Sequence, residues 1–445
     1  MSRNTILITI GVLAITSVGG GYVYYAMNSQ GVDTGSTENT SVIGKVFSPF
    51  GFGSKTGTNT EPGPVDALGG AIKNIISGIN VNSKFTKLTD FSVSGVTFFI
   101  DERPLPTKPI ELKPEDLEKP KEVDAKNKKL TPKITTPIEP TTEPVPSIRY
   151  MRRSSGHIYQ TYLDTNITGK ISNSTIPEIY DGLFGSNPNN IIYRLLGTDG
   201  KTIKTVLGVL GGKESGFLPD NVIDIAIAPN GTNFFYLTPN SNGSTGTIGS
   251  FTETKKSLIL NSAFSEWLVQ WPVDQTMFLT TKASYDTEGY IYSLPTLKGS
   301  LKKVMGGVRG LTTLVDPSGD KVLYSSTTDR GPSLSIYTIS TNKYTPLNLY
   351  GLPEKCVWAK DSVRIYCAIP ANIEGDGYPD IWYQGKVSFN DKFLRINTEV
   401  GTSTEVADSN YETAVDATKL VVDDKEQTLF FINKKDYTLW SLNLQ

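Results

Sequence analysis

The sequence predicts an all-β fold, a seven-bladed β-propeller, behind an N-terminal transmembrane helix and disordered linkers. Three observations predict it. From about residue 147 onwards, short β-rich runs alternate with turn signals, and few helical periods interrupt them. Equivalent turns near Pro188, Pro229, Pro272, Pro317, Lys360 and Asp424 are separated by 41, 43, 45, 43 and 64 residues. A period of about 40–45 residues in four-strand units is the spacing of propeller blades. The first copy of the repeat also lacks its innermost strand, and a suitable strand stands far upstream at residues 93–100.

Residues 1–27 form the first element, a cytoplasmic tip and a signal anchor. Residues 5–27 are 23 residues without a charge, long enough in a helix to cross a ~30 Å hydrocarbon layer. Arg3 precedes this run and no Lys or Arg follows until Lys45. The positive-inside rule therefore puts the N-terminus in the cytoplasm and the rest of the chain outside the cell membrane. The rival is a cleaved signal peptide, although Tyr24-Tyr25-Ala26 places a bulky residue where cleavage favours a small one. Either outcome exports the remaining chain.

Residues 28–83 read as a flexible linker, rich in Gly, Ser, Thr, Asn and Pro. Within it Val65, Leu68, Ile72, Ile75, Ile76 and Ile79 recur at helical spacing, which predicts a short amphipathic helix over 65–80. Residues 84–445 are the propeller, interrupted by a Pro/Lys/Glu-rich insertion at 101–146. Ten prolines and 19 charged residues in that insertion favour an extended, solvated chain over a packed element.

The chain ends on what reads as the third strand of the seventh copy. The ring is therefore expected to close by exchange. Residues 85–89 supply the outer strand of blade seven, and residues 93–100 supply the inner strand of blade one. The ring then uses 316 residues, about 45 per blade. Closure removes the unpaired strand edges that an open array would expose.

"IAPNGTNFFYL" and "VDPSGDKVLYSS" resemble the strand-turn-strand signature of TolB-like and WD40-like bacterial propellers, over most of residues 84–445. As a whole the chain resembles membrane-anchored propellers of the bacterial envelope. The resemblance implies a fold and a placement and no particular activity, because propellers host many functions.

Composition narrows the chemistry. The chain has 43 basic and 45 acidic residues, so no basic excess is available for a phosphate backbone, and nucleic acid is not an expected partner. One histidine, His157, and two cysteines cannot complete a four-ligand zinc site. A catalytic triad would have to use His157, which sits beside a Ser-Ser-Gly turn. The second-to-third strand connections read as long at 239–246, 282–289, 327–333 and 370–391, all on the face opposite the tether. The last carries Asn372, Glu374, Asp376 and Asp380 at alternating spacing around Gly377, the pattern of a calcium loop. The alternative is an acidic turn covered by aromatic residues. Tyr378, Trp382 and Tyr383 are the expected partner face.

Cys356 and Cys367 fall opposite each other if Asp361-Ser362 is a two-residue turn. That arrangement makes a hydrogen-bonded pair at ~5.5 Å, close enough for a disulfide, with two buried thiols as the alternative. These features lead to an extracytoplasmic module that binds an envelope protein or glycan and has no catalytic constellation. The alternative is a propeller hydrolase or lyase using channel carboxylates.

Overall fold

A computed structural model of the chain describes residues 84–105, 142–212, 215–253, 255–297, 299–373, 375–409 and 413–445. The expected membrane anchor at 5–27, the helix at 65–80 and Glu374 lie outside the described residues. Among the described residues no helix is long and apolar enough to cross a membrane.

The described strands form seven four-stranded antiparallel sheets, one per blade. Blade one pairs Val93–Pro104, Thr142–Arg152, Ile158–Tyr162 and Thr168–Lys170, from inside to outside. Blade two starts at Ile179–Phe184, blade three at Ile225–Ile227, blade four at Trp267–Val273, blade five at Thr312–Val315 and blade six at Cys356–Trp358. Each continues through the next three strands in sequence. Blade seven breaks that rule. Ala417–Val422, Thr428–Asn433 and Leu439–Asn443 take their fourth, outer strand from Phe85–Lys87, with Phe85 opposite Leu442 and Lys87 opposite Trp440. The exchange closure expected from the sequence is therefore the observed one.

Why the chain closes this way is visible in the core. Apolar side chains alternate along the strands and are buried on both sheet faces, so each blade packs on two neighbours. One buried cluster lies at every blade interface. Phe85, 4% exposed, enters the cluster between blades six and seven and meets Phe393 and Phe431 edge-on. Val93, fully buried, enters the one between blades seven and one. The same five-residue link thus commits the chain to both ends of the ring.

The repeat is legible because its first turn has fixed chemistry. In blade five the Asp316 carboxylate accepts hydrogen bonds from the backbone N–H groups of Asp320 and Lys321, at 2.9 and 2.7 Å. In blade seven Asp423 does the same for Gln427 and Thr428, at 2.6 and 2.9 Å. Gly319 completes its turn in the left-handed region, with φ of 76°, a conformation that glycine adopts without a steric penalty.

Three expectations are corrected. Pro272 is not in a turn but within Trp267–Val273, at a register shift between Gln270 and Val273. A residue without an N–H is tolerated there because the ladder is already interrupted. The connections expected to be long in blades three and five are two-residue turns, at 241–242 and 329–330, because the flanking strands continue the ladder up to them. Pairing also continues past residue 100. Asp101–Pro104 and Thr142–Pro146 extend the blade-one hairpin, so the insertion proper begins after the Arg103–Glu143 ion pair.

Candidate functional site

Antiparallel order places all blade-to-blade links and all second-to-third strand links on one face of the ring. On that face, residues 371–390 of blade six are the longest connection between described strands. They fold back as a cap around a short helix, Asp380–Tyr383. Its apolar underside buries Tyr378, Trp382 and Phe389 against Leu352, with the Phe389 ring stacked on both Tyr378 and Trp382. Polar contacts spread the cap over several blades. The Asp380 carboxylate accepts the Tyr285 N–H of blade four at 2.5 Å. Lys434 and Lys435 of blade seven donate to the Trp382 carbonyl at 2.8 Å and to the Asn390 side chain at 2.5 Å. The Tyr383 hydroxyl donates to Glu354 ahead of blade six. Burial pushes the Glu354 carboxyl up, and this hydrogen bond only partly offsets that push.

Beneath the cap lies a dry ionic cluster. The side chains of Lys355, Asp391 and Asp416 are all fully buried. The Lys355 ammonium donates to Asp391 Oδ2 at 2.9 Å, to Asp416 Oδ1 at 2.5 Å and to the Ala417 carbonyl at 2.9 Å, so all three protons are used. The Trp382 and Phe389 ring centres are each 5.4 Å from Nζ. Asp416 also accepts from Trp382 Nε1 at 3.0 Å, Ser388 Oγ at 3.2 Å and the Phe389 N–H at 3.1 Å. Burial pushes the Asp416 carboxyl up, but Lys355 and these donors outweigh it and leave it below the usual carboxylate range. For Asp391 burial wins and pushes the carboxyl up to about 6.

A second charged network joins residues of blades seven, one, two and three. Lys419 of blade seven donates to the Ser94 carbonyl of blade one at 2.7 Å and pairs with Asp181 of blade two. Arg194 lies 3.8 Å from Asp181 and donates to the Val222 carbonyl at 2.7 Å. Asp224, immediately before the inner strand of blade three, accepts the Val269 N–H of blade four at 2.7 Å. Burial pushes Asp224 up to about 6. Asp181 ends below its usual range, because Lys419 and Arg194 outweigh its burial.

Several residues singled out in the sequence are placed differently from expectation. Tyr378 and Trp382 are 3% and 4% exposed, so both rings belong to the cap's core. Of the expected partner face only Tyr383, 38% exposed, reaches solvent. Asp376 lines a cleft of about 170 Å³ with Tyr285, Thr327, Thr328 and Asp329. Asn372 lines two other clefts, and the Asp380 carboxylate is engaged by Tyr285. Among the described residues no three His, Cys, Asp or Glu side chains converge as a metal site requires.

Cys356 and Cys367 are opposed, as expected, and are joined by a disulfide with Cα atoms 4.1 Å apart. The turn differs from expectation. Ala359 N–H donates to the Arg364 carbonyl, so residues 360–363 form a four-residue loop. Counting back from that bonded pair makes the cysteines a non-hydrogen-bonded pair, in which strands approach more closely. The His157 ring hydrogen-bonds Thr175 Oγ1 through Nε2, at 3.1 Å.

The sequence reading missed Lys355, Asp391 and Asp416. A signal existed: Asp224, Lys355 and Asp416 each stand one residue before an inner strand, where an apolar junction residue is the ordinary choice.

The architecture defines the class, a seven-bladed β-propeller closed by its N-terminal strand. Solved structures similar to the chain include TolB from Acinetobacter baumannii, at 13% identity and a TM-score of 0.39, covering 58% of this chain and 63% of TolB. An oligogalacturonate lyase in complex with manganese is similar at 12% identity and a TM-score of 0.48, over 67% of this chain and 86% of the lyase. The β-propeller domain of the trilobed protease from Pyrococcus furiosus gives 12% identity and a TM-score of 0.43, over 68% and 92%. The chain therefore spans less than two thirds of the length of TolB. No protein-family model matches the chain, and no curated protein matches its sequence.

Proposed function

We propose that the chain is a membrane-anchored, extracytoplasmic propeller that acts as a protein- or glycan-binding scaffold module of the cell envelope. The observation that carries this reading is the cap. Twenty residues of blade six are pinned to blades four, six and seven, which gives the face a fixed shape before any partner arrives. Preorganisation of this kind lowers the ordering cost of binding. At the edge of the cap, a cleft lined by Asp376, Asp329, Thr327 and Thr328 offers carboxylates and hydroxyls, a mixture suited to polar partners. The outer strand Phe85–Lys87 begins on the face of the ring opposite the cap.

The test uses the full chain in detergent-solubilised membranes, with captured envelope proteins and cell-wall glycans identified. The variant Asp329→Ala changes an exposed carboxylate of the blade-five turn that lines the cleft and leaves the cap's own contacts in place, and it is expected to lose the wild-type partners. Retention of every partner by that variant removes this face as the binding surface.

The second network favours a second reading, a propeller hydrolase or lyase. Asp181 and Asp224 have environments that push their carboxyls in opposite directions, the condition under which one carboxyl serves as base and the other as acid. Turnover of an envelope glycan that Asp224→Asn abolishes, with the fold intact, selects this reading over the first.

A further inference from the structure

The cluster beneath the cap holds an amine, a carboxyl and a second carboxylate in contact with one another, shielded from water. Those are the components of an amide condensation. We propose that Lys355 and Asp391 become joined by an isopeptide bond within the folded chain, with Asp416 as the proton acceptor.

Geometry assigns the roles. Lys355 Nζ is 2.5 Å from Asp416 Oδ1 and 2.9 Å from Asp391 Oδ2. Both Asp416 oxygens are engaged by Lys355, Trp382, Ser388 and Phe389, so it is held as an anion and cannot release an oxygen without breaking those contacts. Asp391 differs. Its Oδ2 accepts from Lys355 and from the Ala417 N–H at 2.6 Å, while its Oδ1 is buried without a hydrogen-bond partner. Burial also favours the protonated, electrophilic form of Asp391.

The step balances without a co-reactant. Asp416 takes one proton from the Lys355 ammonium. The neutral amine attacks Asp391 Cγ, and a C–N bond forms as the bond from Cγ to Oδ1 breaks. Oδ1 leaves as water, carrying the carboxyl hydrogen and a second proton from Nζ. The products are a neutral amide, one water and protonated Asp416, with total charge unchanged. Oδ2 remains as the amide carbonyl and keeps the Ala417 N–H. The orphaned oxygen is removed, and two charges that are costly to hold in a dry interior are replaced by a neutral group. Holding the reactants in contact makes the condensation intramolecular, which supplies a large effective concentration.

The experiment is mass spectrometry of the full chain after reduction of the disulfide. Tryptic digestion is expected to yield a branched peptide joining the segments that contain Lys355 and Asp391, lighter by one water than the two peptides together. Cleavage after Lys355 is expected to be lost. Lys355→Arg and Asp416→Asn should each give the two linear segments at full sequence mass. Recovery of the wild-type Lys355 and Asp391 segments only as separate linear peptides overturns the proposal. A branched peptide persisting in Lys355→Arg overturns the assignment of the amine.

Discussion

Asp224 and Asp416 hold the same place in their blades, one residue before the inner strand, and meet opposite fates. Both carboxyls are pushed up by burial. At Asp224 only backbone N–H groups and a distant Arg194 answer that push, and the group rises to about 6. At Asp416 the junction of the preceding blade delivers Lys355 into direct contact, and the group falls below its ordinary range. The repeat fixes where a charge sits. The neighbouring blade decides whether that charge is held.

The largest expected effect breaks the comparison at Lys355. Changing Lys355→Met keeps the stem's volume and removes the cation, leaving two fully buried carboxylates facing each other. Removing one partner of a buried ion pair costs about 3–5 kcal/mol, and where the lysine is already bonded to Asp391 the variant loses the covalent link instead. Urea denaturation of wild type and variant reads this directly. The comparison also predicts that Asp416 in the variant behaves as Asp224 does, with its carboxyl raised. A variant within about 1 kcal/mol of wild type, the range of a surface pair, contradicts the role given to Lys355.

Much of this contrast was open to sequence reasoning and part was closed to it. The blade period, the exchanged outer strand and the opposition of Cys356 to Cys367 are all set by local alternation and turn spacing. A linear pattern records such features. The parity of the cysteine pair depended on whether the loop holds two residues or four, a one-residue difference at each end that "AKDSVR" does not decide. The ionic cluster was closed for a different reason. Its members are 36 and 61 residues apart from Lys355 and meet only because blades six and seven pack together. Tyr378 and Trp382 were misplaced by the same limit. An aromatic residue in a long loop reads as exposed until the loop is known to fold back on its own ring.

The next effect is in pH dependence and sharpens the comparison at Asp224. Its folded-state value of about 6 lies above the ordinary carboxyl value near 3.8. The native state therefore binds the proton more tightly than the unfolded chain, and the group's contribution is fully present below pH ~4. It is lost as pH rises through about 6. The loss is on the order of 3 kcal/mol. Denaturation between those limits should show wild-type stability falling with pH and a shallower profile for Asp224→Asn. Asp391 has the same direction of shift, but once bonded to Lys355 it no longer titrates. A slope unchanged by Asp224→Asn moves the titration to another carboxyl and takes the contrast with it.

The smallest effect belongs to Lys419, the open counterpart of Lys355. Its side chain is 43% exposed and its partner Asp181 is 22% exposed. The inner strand of blade seven thus carries the cation of the solvated network three residues after Asp416 of the dry cluster, which stands just ahead of that strand. Lys419→Met removes an ion pair that water can replace, so Asp181 is not left dry and Arg194 remains beside it. The expected cost is about 1 kcal/mol or less, read by urea denaturation under the conditions used for Lys355→Met. The two variants remove a lysine from two networks of one ring, one fully buried and one open to water. Equal costs would show that neither burial nor a covalent bond sets the Lys355 cluster apart from the network at Lys419.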